Sequence, residues 1–422
     1  MPAHTSPRVL FVHNGAPGRF TPIAGALLAR GWQGALINGP TGTDIAGLEN
    51  RRFALETPAV RAQYRPSRRM EDALLMGRGA ARAAEALRDD GFVPDVIIGH
   101  PGWGEMLYLG EVFRGVPQIQ LGEYWYRSEG ADSNFDPEFP ARLLDSRISI
   151  VSQNVNFALA YAEAAAIVAP TRFQASLIPD CYQSRVHVIH EGVDTAKIRP
   201  HPPGPLVLAD GTVVDGSAPV ISFASRRFEP LRGVHVFMRM LPRFLEQAPG
   251  AHVLMIGADD PGIYGLPPRG GGTWLETLRA ELGDRIDWSR VHVLPALPHD
   301  QLHRVFSNVT AHVYLTYPFV LSWSLLEAMA CEALVVGSDT APVRDAIQHG
   351  RNGLLVDFFD TEALAAQLVD LCRHPRKHAP LRRAARATVL EKFGRASICE
   401  PAWLELISAV CGPPVERRQL VH

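Results

Sequence analysis

Short apolar runs alternate with longer amphipathic stretches along most of the chain. In the first half, strand patterns occur at 9–13, 35–37, 95–98, 117–121, 166–169 and 186–189, and helical patterns such as 23–29 lie between them. Short apolar strands interleaved with helices are typical of a parallel sheet that is covered on both faces. The first half is therefore predicted to be a doubly wound α/β domain.

A second alternating series follows a stretch rich in proline and glycine. The composition changes between Asp194 and Val220, where Asp210-Gly211 and 215–217 join several prolines, and we place a linker there. Strand patterns then recur at 220–224, 252–256, 291–294, 311–316, 334–336 and 354–356, and helical patterns dominate after Asp360. We predict two Rossmann-like domains, 1–195 and 196–395, that face a cleft where ligands bind at the strand ends, and a C-terminal helix and tail over 396–422.

Length and composition agree with this division. A chain of 422 residues exceeds what one hydrophobic core usually supports, and its net charge of -2 gives no overall attraction for nucleic acid. The five cysteines are odd in number and widely spaced, which indicates reduced core residues. We judge that no Cys-x-x-Cys or His-x-x-x-His pair offers a zinc site, so no structural metal is expected. The absence of a signal peptide and of a long apolar run predicts a cytoplasmic protein.

The stretch over 317–331 is the first candidate site. It predicts a strand that ends at a proline, followed by a helix that has Ser324 as its N-cap and carries Glu327 one turn inside. Free N–H groups at such a helix start attract a pyrophosphate, and the carboxylate can accept hydrogen bonds from ribose hydroxyls. The alternative is a capping box, in which Glu327 only satisfies the amide of the N-cap residue.

Two cations flank a second strand end. Arg226 follows the strand at 220–225, and Arg232 directly precedes Gly233 and a new helix. Fixed guanidinium groups at a strand end and a helix start suit a diphosphate leaving group. Arg227 is an alternative to Arg226, and an exposed cationic face is the alternative to a site.

Three features mark the first domain. Gly15 and Gly18 lie between the first strand and a helix, where backbone can approach a phosphate or simply turn. Their spacing does not match the dinucleotide fingerprint. His100 follows the strand at 95–98, and Glu123 follows the strand at 117–121; a carboxylate there can stabilise positive charge or accept a proton. The aromatic residues at 124–126 either stack on sugar rings or form a packed cluster.

Taken together, the glycine-rich loop, Glu191-Gly-Val-Asp194, the arginine pair and Glu327-Ala-Met-Ala330 resemble the family-4 retaining glycosyltransferases, the glycosyl transferases group 1. The resemblance covers nearly the whole chain and implies the two-domain GT-B fold, with the final helix crossing back onto the first domain. The family usually has Lys where this chain has Arg232, and many members have a cleft histidine where it has Glu123. Its signature of two glutamates separated by seven residues is broken here, because Phe319 stands in the first position.

The resemblance implies a retaining glycosyltransferase that moves a sugar from an NDP-sugar donor to a carbohydrate or lipid-linked saccharide acceptor, in bacterial surface polysaccharide or glycoconjugate synthesis. Neither a cofactor nor a metal is expected. The predicted catalytic residues are Glu123 and His100. The predicted donor-binding residues are Gly15, Gly18, Arg226, Arg232, Phe319, Ser324, Leu325, Leu326 and Glu327. The alternatives are an NDP-sugar 2-epimerase-like isomerase and a catalytically impaired nucleotide-sugar-binding protein, which the change at Phe319 favours.

The segment from Arg51 to Arg88 concentrates positive charge. It holds nine arginines against Glu56, Glu71, Asp72 and Glu85. Such a patch can meet anionic lipid or an anionic acceptor, and a solvated helical face is the alternative. Peripheral contact with the inner face of the membrane is therefore a hypothesis, whereas no nucleic-acid partner is expected.

Overall fold

The computed structural model describes residues 6–15, 17–56, 60–141, 143–207, 213–214, 218–261 and 264–412. The chain divides into two compact units. Unit 1 comprises 1–128, 141–191 and 396–422, and unit 2 comprises 129–140 and 192–395. Both are built on an all-parallel main sheet, so the predicted fold class of two doubly wound α/β domains is confirmed.

Unit 1 contains a seven-stranded sheet in the order β3-β2-β1-β4-β5-β6-β7. Its strands are β1 (Arg8–His13), β2 (Gln33–Asn38), β3 (Glu49–Arg52), β4 (Val96–Gly99), β5 (Gln118–Leu121), β6 (Ala166–Ala169) and β7 (Val186–Val188). Its helices are α1 (Thr21–Leu28), α2 (Arg65–Asp89), α3 (Leu109–Val112), α4 (Leu144–Val151), α5 (Val155–Glu163), α6 (Arg172–Leu177) and, from the end of the chain, α14 (Glu400–Cys411).

The interior of the central strand β1, residues 9–12, is continuously apolar because helices cover both faces of the sheet. Val9 and Phe11 belong to the core on one face, and Leu10 and Val12 belong to the core on the other. Such continuous apolar runs are expected of a strand that is buried on both sides. Helix α14 joins the first of these cores, although it follows unit 2 in the sequence.

Unit 2 contains a six-stranded sheet in the order β12-β11-β10-β13-β14-β15, and a short antiparallel pair of β8 and β9. Its strands are β8 (Leu206–Val207), β9 (Val213–Val214), β10 (Val220–Arg227), β11 (His252–Ala258), β12 (Val291–Leu294), β13 (Ala311–Tyr314), β14 (Val335–Ser338) and β15 (Leu354–Val356). Its helices are α7 (Val234–Gln247), α8 (Trp274–Leu282), α9 (His299–Asn308), α10 (Trp323–Ala330), α11 (Ala341–Arg344), α12 (Thr361–Arg373) and α13 (Ala379–Lys392).

The chain enters unit 2 at Gly192, before the predicted boundary at 195/196. The described part of the predicted linker is bonded to unit 2, since the His201 N–H donates to Ser307 Oγ at 3.0 Å and the Gly204 N–H donates to Asn308 Oδ1 at 3.1 Å. Prolines prevent a helix or central strand here, but they do not prevent the segment from lying against a surface. The predicted turns at 210–211 and 215–217 lie outside the described residues.

Unit 2 also includes residues 129–140, which lie between β5 and α4 in the sequence. The Phe135 ring lies 5.1 Å from the Tyr317 ring, and the Phe139 ring lies 5.2 Å from the Trp274 ring. These aromatic contacts explain why a segment flanked by unit 1 sequence belongs to unit 2.

None of the helices in the described part of the chain combines the length and the apolar character that a membrane span requires.

Candidate active site

In both sheets the strand order reverses at one point, and the loops that follow the two central strands form a site there. The reversal lies between β1 and β4 in unit 1 and between β10 and β13 in unit 2. Neighbouring loops leave in opposite directions at such a point and open a crevice for ligands. The predicted site residues accordingly fall into one set on each unit.

Part of the unit 2 set lines a cavity of about 350 Å³, whereas Leu325, Leu326 and Glu327 are not among its lining residues. The polar and aromatic residues that line it are Phe223, Ser225, Arg226, Arg227, Glu229, Arg232, Tyr264, Tyr314, Phe319, Ser322 and Ser324. The predicted donor-binding residues Arg226, Arg232, Phe319 and Ser324 are therefore brought together. Three guanidinium groups in one cavity favour an anionic ligand.

Arg232 is fixed by the loop that follows β13. Its Nη1 donates to Thr316 Oγ1 at 2.9 Å and to the Val320 carbonyl at 3.0 Å, and its guanidinium lies 5.7 Å from the centre of the Phe319 ring. Gly233 follows with φ of 72°, and a Cβ there would meet the Leu315 Cβ at 2.4 Å. Glycine is required for this turn, which connects Arg232 to the start of α7.

The other two arginines occupy an irregular end of β10. The register against β11 shifts between Ala224 and Arg227. Arg226 is exposed, whereas Arg227 pairs with Asp260 at 2.9 Å. Such a bulge redirects side chains at a strand end. Arg226 is thus the more accessible of the two rival cations, and Arg227 is already neutralised.

Glu229 is a buried carboxylate in the same loop. It accepts a hydrogen bond from the Tyr264 N–H at 2.6 Å. Burial raises its pKa, although that hydrogen bond and the nearby Arg232, Arg227 and Arg226 oppose the shift. The Glu229 side chain lines the cavity and, through this hydrogen bond, holds the segment that carries Tyr264.

Helix α10 begins two residues earlier than the capping-box alternative requires. Ser322 is the N-cap residue, and its hydroxyl accepts from the Ser324 N–H at 3.4 Å. Ser324 is therefore the second helical residue, and Glu327 lies too far along to reach the N-cap amide. The interpretation of Ser324 as N-cap is wrong. Leu325 and Leu326 are fully buried, so only their backbone can face a ligand.

Glu327 contacts two histidines instead. His303 Nε2 lies 3.3 Å from Glu327 Oε2, and His299 Nδ1 lies 3.7 Å from the same oxygen. His299 and His303 have the His-x-x-x-His spacing, from which the sequence predicted no zinc site. The structure places both imidazoles beside the Glu327 carboxylate, which comes from a different helix and is not visible in the spacing of the histidines.

In unit 1, the predicted catalytic residues Glu123 and His100 are in direct contact. His100 Nε2 lies 2.8 Å from Glu123 Oε2, and Arg19 pairs with Glu123 Oε1 at 2.7 Å. The Gly102 N–H donates to His100 Nδ1, so the ring proton is on Nε2 and donates to Glu123. Burial opposes ionisation of Glu123, but Arg19 and His100 outweigh it and hold its pKa well below the usual range.

This pairing decides what Glu123 can do. An ionised, doubly paired carboxylate is a poor proton acceptor at neutral pH, so a general-base role is disfavoured. Arg19 also lies 3.5 Å from Glu191, so one guanidinium serves two carboxylates. The cluster therefore keeps excess negative charge, which can stabilise positive charge that develops on a sugar.

His13 adds a neutral imidazole to the cluster. Its ring lies 5.5 Å from the His100 ring, and its Nδ1 accepts from the Gly15 N–H at 3.0 Å. Burial, with the neighbouring His100 and Arg19, lowers its pKa to about 3. His13 therefore stays uncharged at neutral pH and orients the glycine-rich loop.

Gly15 and Gly18 lie in this loop in unit 1. A Cβ at either position would meet no atom within 4 Å. The packing of the protein therefore does not require glycine at either position, and their approach to a phosphate stays a prediction.

Glu105 connects the loops after β1 and β4. Its Oε1 accepts from the Asn14 N–H at 3.0 Å, and its Oε2 accepts from the Trp103 N–H at 3.2 Å. It is fully buried, and burial raises its pKa to about 8 despite these hydrogen bonds.

The aromatic residues at 124–126 contribute to packing. Tyr124 is buried, Trp125 stacks 6.0 Å from Tyr161, and the Tyr126 N–H donates to Asn154. These contacts favour the packed-cluster alternative over stacking on sugar rings.

The basic segment over 51–88 is largely paired with carboxylates. The arginines within 4 Å of a carboxylate oxygen are Arg51, Arg52, Arg61, Arg78, Arg82 and Arg88. Several of the partners, among them Asp44, Glu49 and Asp90, lie outside the segment. The excess charge seen in the sequence is thus reduced in the structure.

Sequence reasoning missed Arg19, Glu105 and the two histidines beside Glu327, and it named Glu191 only as part of a motif, without a role in the site. Arg19 directly follows Gly18, and a cation next to a glycine-rich loop was an available signal. Glu105 gave no signal, because the amides it binds lie 91 residues away at Asn14 and in its own loop at Trp103.

Family models match both units. The model described as "Glycosyl transferase family 4 group" matches residues 30–198, and that described as "Glycosyl transferases group 1" matches residues 215–388. Among curated proteins, the alpha-maltose-1-phosphate synthase of Mycolicibacterium smegmatis is 31% identical over 54% of this chain and 57% of its own length. The D-inositol 3-phosphate glycosyltransferase of Acidothermus cellulolyticus is 28% identical over 68% of this chain and 62% of its own length. The chain thus spans less than two thirds of these relatives.

Solved structures share the fold. Sucrose-phosphate synthase from Thermosynechococcus elongatus has a TM-score of 0.71 at 16% identity, over 96% of this chain and 100% of its own. Anabaena HepE, solved in complex with UDP and glucose, has a TM-score of 0.65 at 16% identity, over 94% of this chain and 99% of its own.

Proposed function

Because the chain belongs to the family-4, group-1 glycosyltransferases, we propose that it is a retaining enzyme that transfers a sugar from an NDP-sugar to a saccharide acceptor. The proposal is carried by one observation: at the strand reversal of unit 2, Arg226 and Arg232 line one cavity with the start of α10. A diphosphate needs such an arrangement of cations and helix-terminal amides.

Donor binding follows from the residues of unit 2. The diphosphate would lie against Arg226, Arg232 and the first amides of α10, and Glu327 would hold the ribose. Phe319 would present its ring and the backbone of its loop to the sugar, where the family's first glutamate is missing. The cation on Arg232 would stabilise the negative charge that develops on the leaving diphosphate.

The residues of unit 1 would act on the reacting sugar. When the bond between the sugar and the diphosphate breaks, positive charge develops on the ring, and the Glu123–Arg19–Glu191 cluster supplies a negative field. Because Glu123 is a poor proton acceptor, we assign the acceptor's hydroxyl proton to the departing diphosphate oxygen. His100 would then orient Glu123 and contact the sugar.

The acceptor and the setting belong to the same proposal. We expect a saccharide or lipid-linked saccharide acceptor in surface polysaccharide or glycoconjugate synthesis, in the cytoplasm or at the inner face of the membrane. Anabaena HepE with UDP-glucose and Arabidopsis starch synthase IV with ADP and acarbose support a nucleotide and a saccharide as ligands. Vesicle co-sedimentation that rises with anionic lipid would support membrane contact through the segment over 51–88. The chemistry assigned here uses no metal, and turnover should persist in EDTA.

A donor panel tests the proposal. The protein is incubated with UDP-, GDP-, dTDP- and ADP-sugars, and NDP release and the fate of the sugar are measured. Slow NDP release without acceptor supports a transferase. An altered sugar would indicate an epimerase, and binding without turnover would indicate a catalytically impaired nucleotide-sugar-binding protein. If no nucleotide sugar binds or turns over, the proposal is wrong.

Variants connect the result to the cavity. Arg232→Ala and Glu327→Ala each remove charge-assisted hydrogen bonds, so NDP affinity should fall about ten- to hundredfold. Arg243→Ala is the matched control, because this exposed arginine of α7 pairs with Glu362 outside the cavity. Equal affinity in all three variants would count against the site.

A further inference from the structure

Two histidines and a carboxylate meet where α9 lies against α10. His299 and His303 are four residues apart on α9, which places their side chains on one face of the helix. Glu327 projects from α10 towards that face. One atom from each of the three side chains lies within 4.8 Å of the others.

These distances are close to those of a metal site. Ligand atoms bound tetrahedrally at about 2.0–2.1 Å from a zinc ion are roughly 3.3–3.5 Å apart. His303 Nε2 and Glu327 Oε2 are 3.3 Å apart, and His299 Nδ1 is 3.7 Å from the same oxygen. A small rotation of the exposed His299 side chain would bring all three atoms onto one ion.

Burial fixes two of the three side chains, His303 and Glu327, and leaves the third, His299, free to change its rotamer. The side chains of His303 and Glu327 are each 9% exposed, so packing holds them in place. The His299 side chain is 76% exposed and faces solvent at the helix start. Three protein ligands with one side open to water match the donor set of zinc sites that retain an exchangeable position.

We propose that His299, His303 and Glu327 bind a divalent transition-metal ion of the zinc class, and that the bound ion weakens nucleotide binding. The metal would hold Glu327 Oε2 against α9 and neutralise the carboxylate. The effect on nucleotide binding rests on the proposed function, because that function assigns the Glu327 carboxylate to the ribose.

Metal binding is tested first, with no nucleotide present. The full chain is titrated with Zn²⁺ against a chromophoric chelator, and with Co²⁺ while the visible absorption bands are recorded. We expect one site with nitrogen and oxygen ligands. Zn²⁺ affinity should fall at least about tenfold in His299→Ala, His303→Ala and Glu327→Gln, because each loses one of three ligands.

A matched control lies in the same unit. His252 Nδ1 and His292 Nε2 are 3.1 Å apart on neighbouring strands, but no third ligand accompanies them among the described residues. His292→Ala should bind Zn²⁺ like the unsubstituted chain. The proposed site would be overturned if all variants bound Zn²⁺ with equal affinity or if only His292→Ala lost Zn²⁺ affinity. A Co²⁺ absorption band typical of thiolate ligands would also overturn it. Because His299 is exposed, its truncation keeps the test valid if His303→Ala fails to fold.

The coupling is tested by measuring UDP affinity with and without Zn²⁺. In the unsubstituted chain we expect Zn²⁺ to weaken UDP binding at least about tenfold, the worth of a charge-assisted hydrogen bond. In His299→Ala, the same Zn²⁺ concentration should have little effect, which controls for Zn²⁺ bound to UDP itself. Equal weakening in both proteins would overturn the coupling. If UDP binds neither protein, the proposed function fails while the Zn²⁺ titration still decides the metal site.

Discussion

At the residue scale, unit 1 contains a buried carboxyl group, Glu105, that pairs with no cationic side chain among the described residues. Glu105 is fully buried, and backbone N–H groups from Asn14 and Trp103 are its hydrogen-bond donors. By contrast, Glu123 has Arg19 and His100 beside it. The two carboxyl groups are therefore shifted in opposite directions, with the pKa of Glu105 raised to about 8 and that of Glu123 lowered.

Glu105 predicts a pH dependence of stability. In the folded chain the Glu105 carboxyl group keeps its proton up to about pH 8, whereas in the unfolded chain it releases the proton near its ordinary pKa of 4.5. The stabilisation is therefore complete below pH 4.5 and is lost as pH rises to about 8, with a slope of at most about 1.4 kcal/mol per pH unit. Urea unfolding between pH 5 and 8.5 should show Glu105→Gln gaining stability relative to the unsubstituted chain as pH rises.

Glu111→Gln is the control for this experiment, because its side chain is 76% exposed. Its unfolding free energy should stay parallel to that of the unsubstituted chain at every pH. If the Glu105→Gln curve were also parallel, the carboxyl would already be ionised in the folded protein.

Sequence reasoning at this scale found residues that directly follow an apolar strand. His100 and Glu123 were identifiable because β4 and β5 end just before them. Arg226 was identifiable because it directly follows the apolar run at 220–225, and Arg232 because it directly precedes Gly233 and a new helix. The N-cap of α10 was misplaced because Ser322 and Ser324 are both suitable caps, and only the backbone conformation distinguishes them.

At the element scale, the segment over 129–140 supports the loops that line the unit 2 cavity. Asp136 Oδ2 lies 2.9 Å from His235 Nε2 on α7 and accepts the Tyr317 hydroxyl at 2.6 Å. His235 is three residues after Arg232, and Tyr317 is two residues before Phe319. One carboxylate thus fixes both loops that carry the predicted donor-binding residues.

Replacing Asp136 should destabilise unit 2 and weaken nucleotide binding together. The side chains of Asp136 and His235 are 3% and 2% exposed, so Asp136→Ala leaves buried polar groups unpaired and should cost about 3–5 kcal/mol. Glu138→Gln is the control, since its exposed pair with Arg239 should contribute about 0–1 kcal/mol. Urea unfolding and NDP affinity measure the two effects, and Asp136→Ala behaving like Glu138→Gln would contradict the supporting role.

At the scale of the whole molecule, the sequence predicted the elements better than their assignment to units. Nearly every apolar strand pattern matches an observed strand, because a strand buried on both faces leaves a continuous apolar run. Strand β3 was missed because its residues, Glu49–Arg52, are all polar. The segment over 129–140 was assigned to the first domain because its contacts lie far away in sequence; Asp136 and Tyr317 are 181 residues apart.

The C-terminal helix shows the same long-range dependence and gives the last prediction. Trp403, Leu406 and Ile407 of α14 are buried in the core that contains β1. Burying each such side chain contributes about 1.5–3 kcal/mol, so deleting residues 400–422 should lower the stability of unit 1 by several kcal/mol. Urea unfolding followed by circular dichroism should show an earlier transition.

Deleting only residues 413–422 is the control for the deletion of α14. This shorter deletion leaves all three apolar side chains in place, so its unfolding curve should match that of the full chain. If both deletions unfolded alike, the packing of α14 would contribute little. If only the longer one unfolds early, unit 1 requires all three of its separate chain segments, because the sheet formed by the first two leaves apolar surface that the third must cover.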